Sequence, residues 1–371
     1  MRRLRCVGIP QILEHCLMVD VAEAGSVPMR VTVVRPCELG PHESEMWTKF
    51  QRVSPETLSP FMSLTFAQAV ARARQNARVA IAEDGGEITA FLPFESASDK
   101  VALPIGHPMN DFHGFISSGA PIDARSVVKA AGLRGWRFDH APASQGVLAP
   151  YCYDGGQVQA SLIDLTDGFN QYLGSRSRSF VAKLGRQRRA VERQFGPVSL
   201  TWRSPDLSHL DRLIQWKSQK YSRTRQMFSD DKTAQIIKEL AMTDKDDYAG
   251  LVSVLHAGGR TVAVNLAMLS PRGLTGWFAA YDPEVARFSP GTMMFFAIAE
   301  EAAAQAINRF DLGYGQDSYK SRLANRYYPV VSGVVWASRM ERYARLTYRR
   351  LWHDRRYGRV AFAVRDRNDS S

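Results

Sequence analysis

An internal repeat is the feature that most constrains how this chain folds. Residues 78–94 and 251–267 align without gaps, and each reads as an apolar strand, a Gly-Gly turn and a second apolar strand. This is the pattern of a β-hairpin. Further landmarks recur in the same order at nearly the same offset: Asp111 with Asp282, and Arg137-Phe138-Asp139 with Arg309-Phe310-Asp311. Such self-similarity predicts two copies of one folding unit.

The repeat predicts the division of the chain. Each copy reads as helix, hairpin, further strand, helix and strand, which indicates a mixed α/β fold of the α+β class. We expect a first unit at 29–150, without a cofactor, and a second unit at 158–335 that carries the functional site. Residues 1–28 form either a disordered extension or an overcalled start, because Met29 opens a strand-like run. Residues 336–371 are predicted to form a basic C-terminal helix and tail.

Composition excludes several classes of protein. Hydrophobic residues make up 45% of the 371 residues, which is enough for a real core. The longest apolar run, Met293–Ala299, is far below the roughly 20 residues that cross a bilayer. The four cysteines have no C-x-x-C spacing and no histidine cluster beside them, so we expect reduced, buried thiols, no metal and a cytoplasmic protein.

The net charge of +11 is concentrated in two segments. Residues 176–193 hold seven basic residues against one acidic residue, and residues 339–359 hold eight against two. Each segment therefore carries a local charge of +6. They suit an anionic partner, either a phosphate-rich cofactor, a nucleic acid or lipid headgroups. Solvated helix faces that keep the protein soluble are the alternative.

A helix start in the second unit has the features of a phosphate site. Ser289 is a candidate N-cap, Pro290 fits the first helical position, and Gly291 removes a side chain from the approach. Exposed N–H groups and the positive end of the helix dipole favour anions there, and Arg287 adds a charge. The loop from Arg287 to Thr292 is thus predicted to bind pyrophosphate, against the alternative of a capped helix without a ligand.

A second cluster, Asp311 to Arg322, follows a predicted strand. Gly313 and Gly315 let the backbone approach a ligand. Tyr319 could protonate a leaving group and Lys320 could neutralise an anion, while Asp311 or Asp317 could accept a proton. The alternative is a polar turn whose Tyr319 ring packs on the core.

The motifs of the second unit resemble a known family. The order of four motifs resembles the GNAT-type acyltransferases of the CelD/BcsL group: residues 277–284, Ser289 to Thr292, Arg309 to Gly315 and Tyr319 to Arg322. That group is associated with cellulose and exopolysaccharide biosynthesis. It is related to FemAB-type tandem GNAT proteins. The resemblance implies two tandem GNAT-like units, each a mixed, mainly antiparallel sheet flanked by helices. It also implies acyl transfer from acetyl-CoA or another acyl-CoA to an amine or hydroxyl of a saccharide or cell-envelope precursor.

The motif cluster and the resemblance together give a set of expected site residues. The catalytic residues are Tyr319, Lys320 and Asp311. The cofactor-binding residues are Arg287, Ser289, Gly291, Thr292, Gly313 and Gly315, although Gly291 stands one place later than the glycine of the common GNAT pattern. The substrate-binding residues are Tyr281, Asp282 and Asp317, and no metal is expected.

Two other functions remain open. The first is FemAB-like transfer from an aminoacyl-tRNA, because the Phe/Tyr-Lys pair of those relatives resembles Tyr319-Lys320. The second is a non-catalytic binding protein attached to nucleic acid or anionic membrane through its basic segments. The C-terminal basic helix could dock on a membrane-bound polysaccharide synthase, fold against the body or lie on lipid.

Overall fold

The computed structural model describes residues 29–53, 59–220, 222–271, 273–315 and 318–338. The predicted N-terminal extension, Asp317 and the C-terminal segment from residue 339 onward lie outside the described residues. The expectations for those parts of the chain stay predictions. Of the cysteines that the structure describes, Cys37 is exposed and Cys152 is half-buried, so the expected burial is wrong for these two thiols.

The first unit contains six strands and three α-helices within the described residues. Its strands are β1 (Arg30–Val34), β2 (Ala77–Asp84), β3 (Glu87–Glu95), β4 (Val101–Pro104), β5 (Ile116–Ser117) and β6 (Gly135–Pro142). Its helices are α1 (Pro41–Gln51), α2 (Leu64–Ala73) and α3 (Ala124–Ala130).

The second part of the chain continues the same alternation. Its strands are β7 (Cys152–Asp164), β8 (Val198–Thr201), β9 (Asp244–Lys245), β10 (Tyr248–Ala257), β11 (Arg260–Ser270), β12 (Gly273–Tyr281), β13 (Arg309–Tyr314) and β14 (Arg326–Trp336). Its helices are α4 (Gly168–Gly174), α5 (Arg178–Phe195), α6 (Ser208–Lys220), α7 (Ser222–Phe228), α8 (Asp231–Met242), α9 (Pro290–Ala304) and α10 (Ser318–Leu323).

The repeated hairpins form as predicted. Strands β2 and β3 are joined by Gly85-Gly86, and β10 and β11 by Gly258-Gly259. All four glycines have positive φ, between 55° and 87°. A two-residue hairpin turn with positive φ at both positions matches the twist of the strands, and glycine adopts it without steric cost.

All 14 strands found in the described residues belong to one sheet, in the order β1-β2-β3-β4-β6-β14-β7-β13-β12-β11-β10-β8, with β5 on β3 and β9 on β10. The neighbours are antiparallel except for two pairs, β4 with β6 and β12 with β13. These parallel pairs occupy matching places in the two copies. The predicted fold class, a mixed and mainly antiparallel sheet flanked by helices in two tandem units, is confirmed.

The two copies exchange their last strands. Strand β7 follows the first copy in sequence but pairs with β13 of the second, whereas β14 ends the second copy and pairs with β6 of the first. The exchanged strands also pair with each other, from Arg326↔Leu162 to Gly333↔Cys152. Hydrogen bonding therefore runs without a break from one copy to the other.

Buried side chains join the copies on one face of the sheet. Trp277 of β12 donates its indole N–H to the Met109 carbonyl of the first copy at 2.8 Å. Its ring packs edge-on against Phe61 and Phe66, at centroid distances of 5.8 and 6.3 Å. These aromatic contacts bury Trp277 against the first copy. Side chains of both copies therefore hold β12 in place.

Candidate functional site

A cavity opens where the parallel strands β12 and β13 separate. Their Cα partners are confined to Leu274↔Phe310 and Thr275↔Asp311, after which the strands diverge. The pairing of β12 with β11 shifts next to this point, from Ala267↔Gly276 to Leu266↔Phe278, so Trp277 is the extra residue of a β-bulge on β12. Bulges bend the strand that carries them. The resulting cavity has a volume of about 1130 Å³.

Residues from both copies line this cavity. Strand β12 contributes Gly276 to Tyr281, and β13 with its exit contributes Leu312, Tyr314 and Gly315. The start of α9 supplies Ser289, Gly291, Thr292 and Phe295, and helix α10 supplies Tyr319, Lys320 and Arg322. Opposite them stand Asp111 of the first copy and Trp216, Lys217, Gln219 and Thr224 of α6 and α7.

The predicted helix start faces the cavity, but Ser289 does not cap it through its side chain. Ser289 has left-handed backbone angles (φ 54°, ψ 50°), and its carbonyl accepts from the amides of Thr292 and Met293 at 3.1 and 3.2 Å. Its hydroxyl is instead held by the side-chain amide of Gln187 at 3.1 Å. The expected side-chain cap is therefore wrong, because α5 brings a competing donor that the local sequence does not reveal.

Gly291 lies against a predicted substrate-binding residue. A Cβ atom added at Gly291 would stand 3.3 Å from Cδ1 of Tyr281, so the absent side chain lets the Tyr281 ring of β12 pack close to the helix start. The positive end of the 15-residue helix α9 meets the cavity at this point. That arrangement attracts a negatively charged group.

Arg287 points away from the cavity. Its guanidinium donates to Oε1 of Gln194 on α5 at 2.8 Å and lies 4.7 Å from the centroid of the Phe288 ring. The side chain is exposed and is absent from the cavity wall. The structure thus brings Ser289, Gly291 and Thr292 together and leaves Arg287 on the neighbouring helix surface.

Tyr319 and Lys320 share the cavity with the helix start. The Tyr319 ring stacks on Phe295, with centroids 5.5 Å apart and planes 11° apart. Lys320 is only 8% exposed, and its ammonium donates to the Tyr314 carbonyl at 2.5 Å. Both side chains are therefore fixed by packing or hydrogen bonding beside the space a ligand would fill.

Asp111 is the group at this site that sequence reasoning missed. It reaches the cavity from the first copy, where its carboxylate passes close to Gly313: a Cβ atom there would lie 2.9 Å from Asp111 Oδ2 and 3.7 Å from Lys320 Nζ. Burial raises the pKa of Asp111 to about 7, against the opposing effect of Lys320 and with support from Asp311 and Asp139. Its alignment with Asp282 marked it only as a repeat landmark.

Gly313 and Gly315 serve the site in different ways. Both have positive φ, 78° and 94°. Gly315 lines the cavity itself, whereas Gly313 provides the space that lets Asp111 and Lys320 approach each other. Any larger residue at 313 would push the carboxylate away from the ammonium.

Asp311 lies behind the cavity rather than in its wall. Its Oδ1 accepts from the amide of Gly313 at 2.8 Å, and its Oδ2 accepts from the Tyr328 hydroxyl and stands 3.6 Å from Arg309. It lines a separate cavity of about 240 Å³. Burial raises the pKa of Asp311, while Arg309 and the hydrogen bonds lower it. The geometry makes Asp311 a neighbour of Asp111 across Gly313.

The two remaining predicted substrate residues differ in their surroundings. Tyr281 lines the cavity. Asp282 does not, because its carboxylate is occupied by Arg260, with Nε at 2.9 Å, and by the amide of Glu284 at 3.0 Å. It begins the 3₁₀ turn Pro283–Phe288 that leads to α9. Asp282 thus shapes the approach to the helix start.

Lys217 is a second residue that sequence reasoning passed over. Its ammonium donates to the Ala279 carbonyl at 3.3 Å and lowers the pKa of Asp111. The sequence signal for Lys217 was a lysine at a helical spacing in α6 whose other positions are mainly apolar.

The described ranges hold no group of three or more His, Cys, Asp or Glu side chains that could bind a metal ion. Among the same residues, no helix is long and apolar enough to span a membrane.

Part of this chain matches a known protein family. Residues 178–321 match the acetyltransferase (GNAT) domain family. No curated protein matches the sequence. GNAT domains use acyl-CoA donors, and the matched segment contains the α9 start, Tyr319 and Lys320.

Several solved structures are similar to this chain. FemX aligns over 78% of this chain and 94% of its own, with a TM-score of 0.53 and 10% identity. The C-terminal domain of a provisionally assigned lysylphosphatidylglycerol synthetase from Agrobacterium fabrum aligns over 79% and 92%, with a TM-score of 0.50 and 13% identity. A tandem GNAT protein from the clavulanic acid biosynthesis pathway aligns over 84% and 99%, with a TM-score of 0.46 and 10% identity. The GNAT domain match supports an N- or O-acyltransferase.

Proposed function

We propose that this protein transfers an acetyl or other acyl group from acyl-CoA to an amine or hydroxyl of a saccharide or cell-envelope precursor, in the cytoplasm and in the service of exopolysaccharide or cellulose biosynthesis. One observation carries the proposal. A single cavity contains an open helix start, a tyrosine, a buried ammonium and a carboxyl group whose pKa is raised to about 7.

The donor's phosphate groups would lie at the start of α9. The amide of Gly291 and the dipole of α9 favour negative charge there. The arm of the donor would then follow β12 toward Tyr319 and Lys320. Arg287 could reach the phosphates only by leaving Gln194, and Gly315 borders the inner end of the path.

Asp111 is the base that the geometry supports best. A carboxyl group with a pKa near 7 is partly ionised at neutral pH and still basic enough to take a proton. Asp111 would accept the proton of the acceptor amine or hydroxyl as that atom bonds to the acyl carbon. The carbon–sulfur bond of the donor breaks in the same exchange, and the Tyr319 hydroxyl would protonate the departing sulfur.

Lys320 would stabilise negative charge that develops during transfer. Its ammonium is buried, fixed by the Tyr314 carbonyl and close to Asp111. A buried cation acts on nearby charge more strongly than one in water. Lys320 also keeps the pKa of Asp111 from rising further, so one residue sets both the charge and the basicity of the site.

The acceptor side of the cavity suits a saccharide. Trp216 brings an aromatic ring to the wall, while Lys217, Gln219 and Thr224 bring polar groups. Pockets that combine apolar faces with a few polar groups orient small polar substrates. This is the support for a saccharide or related envelope precursor as the acceptor class.

A donor screen tests the proposal. We expect acetyl-CoA at a concentration of about 100 Kd to stabilise the protein by roughly 2.7 kcal/mol, seen as a raised melting temperature. A matched titration with 3′,5′-ADP reports the nucleotide end alone. No shift with any acyl-CoA at millimolar concentration contradicts the proposal.

Aminoacyl-tRNA as the donor is the second candidate, and helix α5 supports it. Six cationic side chains on this helix are exposed: Arg178, Lys183, Arg186, Arg188, Arg189 and Arg193. Helix α5 also reaches the cavity mouth through Gln187, which contacts Ser289. Binding of tRNA that weakens steeply with salt, together with no binding of CoA, would favour this donor.

A non-catalytic basic binding protein is the remaining alternative. Salt-dependent binding of nucleic acid or anionic membrane, with unchanged function in Tyr319→Phe and Lys320→Ala, would favour it.

A further inference from the structure

Asn265 is a buried polar residue that the folded chain leaves unsatisfied. It lies in the middle of β11, is 0% exposed, and lines the main cavity. Neither its Oδ1 nor its Nδ2 atom has a hydrogen-bond partner among the described residues. Buried carboxamides without partners are rare, because each atom loses its hydration and gains nothing in return. The position therefore needs an explanation beyond folding.

The first copy supplies an internal comparison. The hairpin repeat aligns Asn265 with Leu92 of β3, which is also 0% exposed. Their neighbours correspond as well, because Leu92 pairs with Ala80 and Asn265 with Ser253 across the hairpin. The fold thus accepts leucine at this place in the first copy. In the second copy, asparagine stands at the wall of the cavity.

The strand register places Asn265 halfway along the donor path. Asn265 pairs with Ala279 of β12, between Gly276 at the inner end and Tyr281 beside the helix start. Alternation along β11 puts it on the same face as Ala263 and Ala267, which pack in the core that contains α9. This is the level at which the middle of a bound donor would lie.

We infer that Asn265 binds a secondary amide of the donor, as in the pantetheine arm of acyl-CoA. A carboxamide presents one acceptor and one donor side by side, and a secondary amide presents the complementary pair. The inference rests on the proposed acyl-CoA function and deepens it. It separates the two donor classes, because the ester that links an amino acid to tRNA contains no such amide.

The test compares binding of whole CoA with binding of its nucleotide end. Calorimetric titrations of the full chain would use CoA and 3′,5′-ADP with the wild type and with Asn265→Leu, which restores the residue of the first copy. We expect the variant to bind CoA about 10- to 100-fold more weakly and 3′,5′-ADP with unchanged affinity. Its melting temperature without ligand should be equal or higher, since two unsatisfied atoms are removed.

The outcomes are separable. Equal CoA affinity in the variant and the wild type overturns the inference alone, and so does an equal loss for both ligands. Failure of the wild type to bind either ligand overturns the proposed function and the inference with it. If Asn265→Leu folds poorly, the ratio of the two affinities in Asn265→Ala decides in the same way.

A matched control is available on the adjacent strand. Ser253 is buried opposite Asn265, and its hydroxyl donates to the Trp202 carbonyl at 2.7 Å. Ser253→Ala should lower the melting temperature because it leaves that carbonyl unpaired, and it should leave CoA affinity unchanged. A loss of CoA affinity in this control equal to that of Asn265→Leu would assign both effects to packing of the sheet and overturn the inference.

Discussion

At the scale of single residues, Asp111 combines access to the cavity with a pKa suited to proton transfer. We expect Asp111→Asn to lower kcat about 10²- to 10⁴-fold with little change in KM for the donor, which is the usual contribution of a general base. In the wild type the rate should rise with pH through about 7, as the carboxyl group ionises, and the variant should lose this limb. Asp154→Asn, at an exposed site, is the control. Activity of Asp111→Asn within a factor of two of wild type would remove Asp111 from the mechanism.

The same residue predicts a cost in stability. Because the pKa of Asp111 is about 7 in the folded state against an ordinary value of 3.8, the folded state holds the proton more tightly. The free energy of unfolding should therefore fall as pH rises from about 4 to about 7 and level off above that. Between pH 5 and pH 8, the free energy of unfolding of Asp111→Asn should rise by roughly 3 kcal/mol relative to that of the wild type, as measured by urea unfolding. A difference that does not change with pH would mean that the carboxyl group has an ordinary pKa.

Residues with local signals could be predicted, and residues brought in by the fold could not. Gly291, Tyr319 and Lys320 are marked by helix punctuation and by neighbours in sequence, and they line one cavity. Asp111 could not be predicted because the sequence does not show which loop of the first copy meets the second copy. Asn265 could not be predicted because the sequence does not show which side of β11 faces the cavity. Asn265 still left a trace, as a single polar residue within a strand that is otherwise mainly apolar.

At the scale of elements, the two matched hairpins give a controlled comparison. A Cβ atom at Gly258 would lie 1.6 Å from the Phe195 carbonyl oxygen, whereas one at Gly85 would meet nothing within 4 Å. Both glycines have positive φ, 55° and 59°. Gly85→Ala should cost about 1 kcal/mol of backbone strain. Gly258→Ala should cost about 3 kcal/mol or more, because the end of α5 must also move.

Chemical unfolding of the two alanine variants checks this comparison. Equal losses would show that the contact between α5 and the second hairpin contributes nothing to stability. The hairpins themselves were predictable because the Gly-Gly turn and the flanking apolar runs are local features. The packing of the end of α5 on the second hairpin was not predictable, because the hairpin sequence does not indicate which element packs on it.

At the scale of the whole molecule, the exchange of β7 and β14 should make the two copies unfold together. Strand β14 lies between β6 and β7, and one aromatic core contains side chains of both copies. Calorimetry should show one transition whose calorimetric and van't Hoff enthalpies agree. Gly333→Ala, whose Cβ would stand 2.2 Å from the Tyr151 carbonyl oxygen, should lower this transition without splitting it. Two resolved transitions would show that the copies fold independently.

The exchange also marks the limit of sequence reasoning about the fold. The repeat predicted two copies and the type of each unit, because periodicity and turn residues are local. The apolar pattern of a strand does not specify which strand it pairs with. The exchange of β7 and β14 therefore could not be predicted from the sequence. The cavity depends on that crossing, because it brings Asp111 of one copy against Lys320 of the other.

Hydrogen–deuterium exchange of the full chain with and without acetyl-CoA tests the central claim most directly. The claim is that an acyl donor occupies the space between β12 and β13 at the start of α9. The account predicts slower exchange at Gly276–Tyr281 and at Gly291–Phe295, with the rest of the sheet little changed. Unchanged exchange at saturating acetyl-CoA, or protection confined to the smaller cavity beside Arg309 and Asp164, would contradict it.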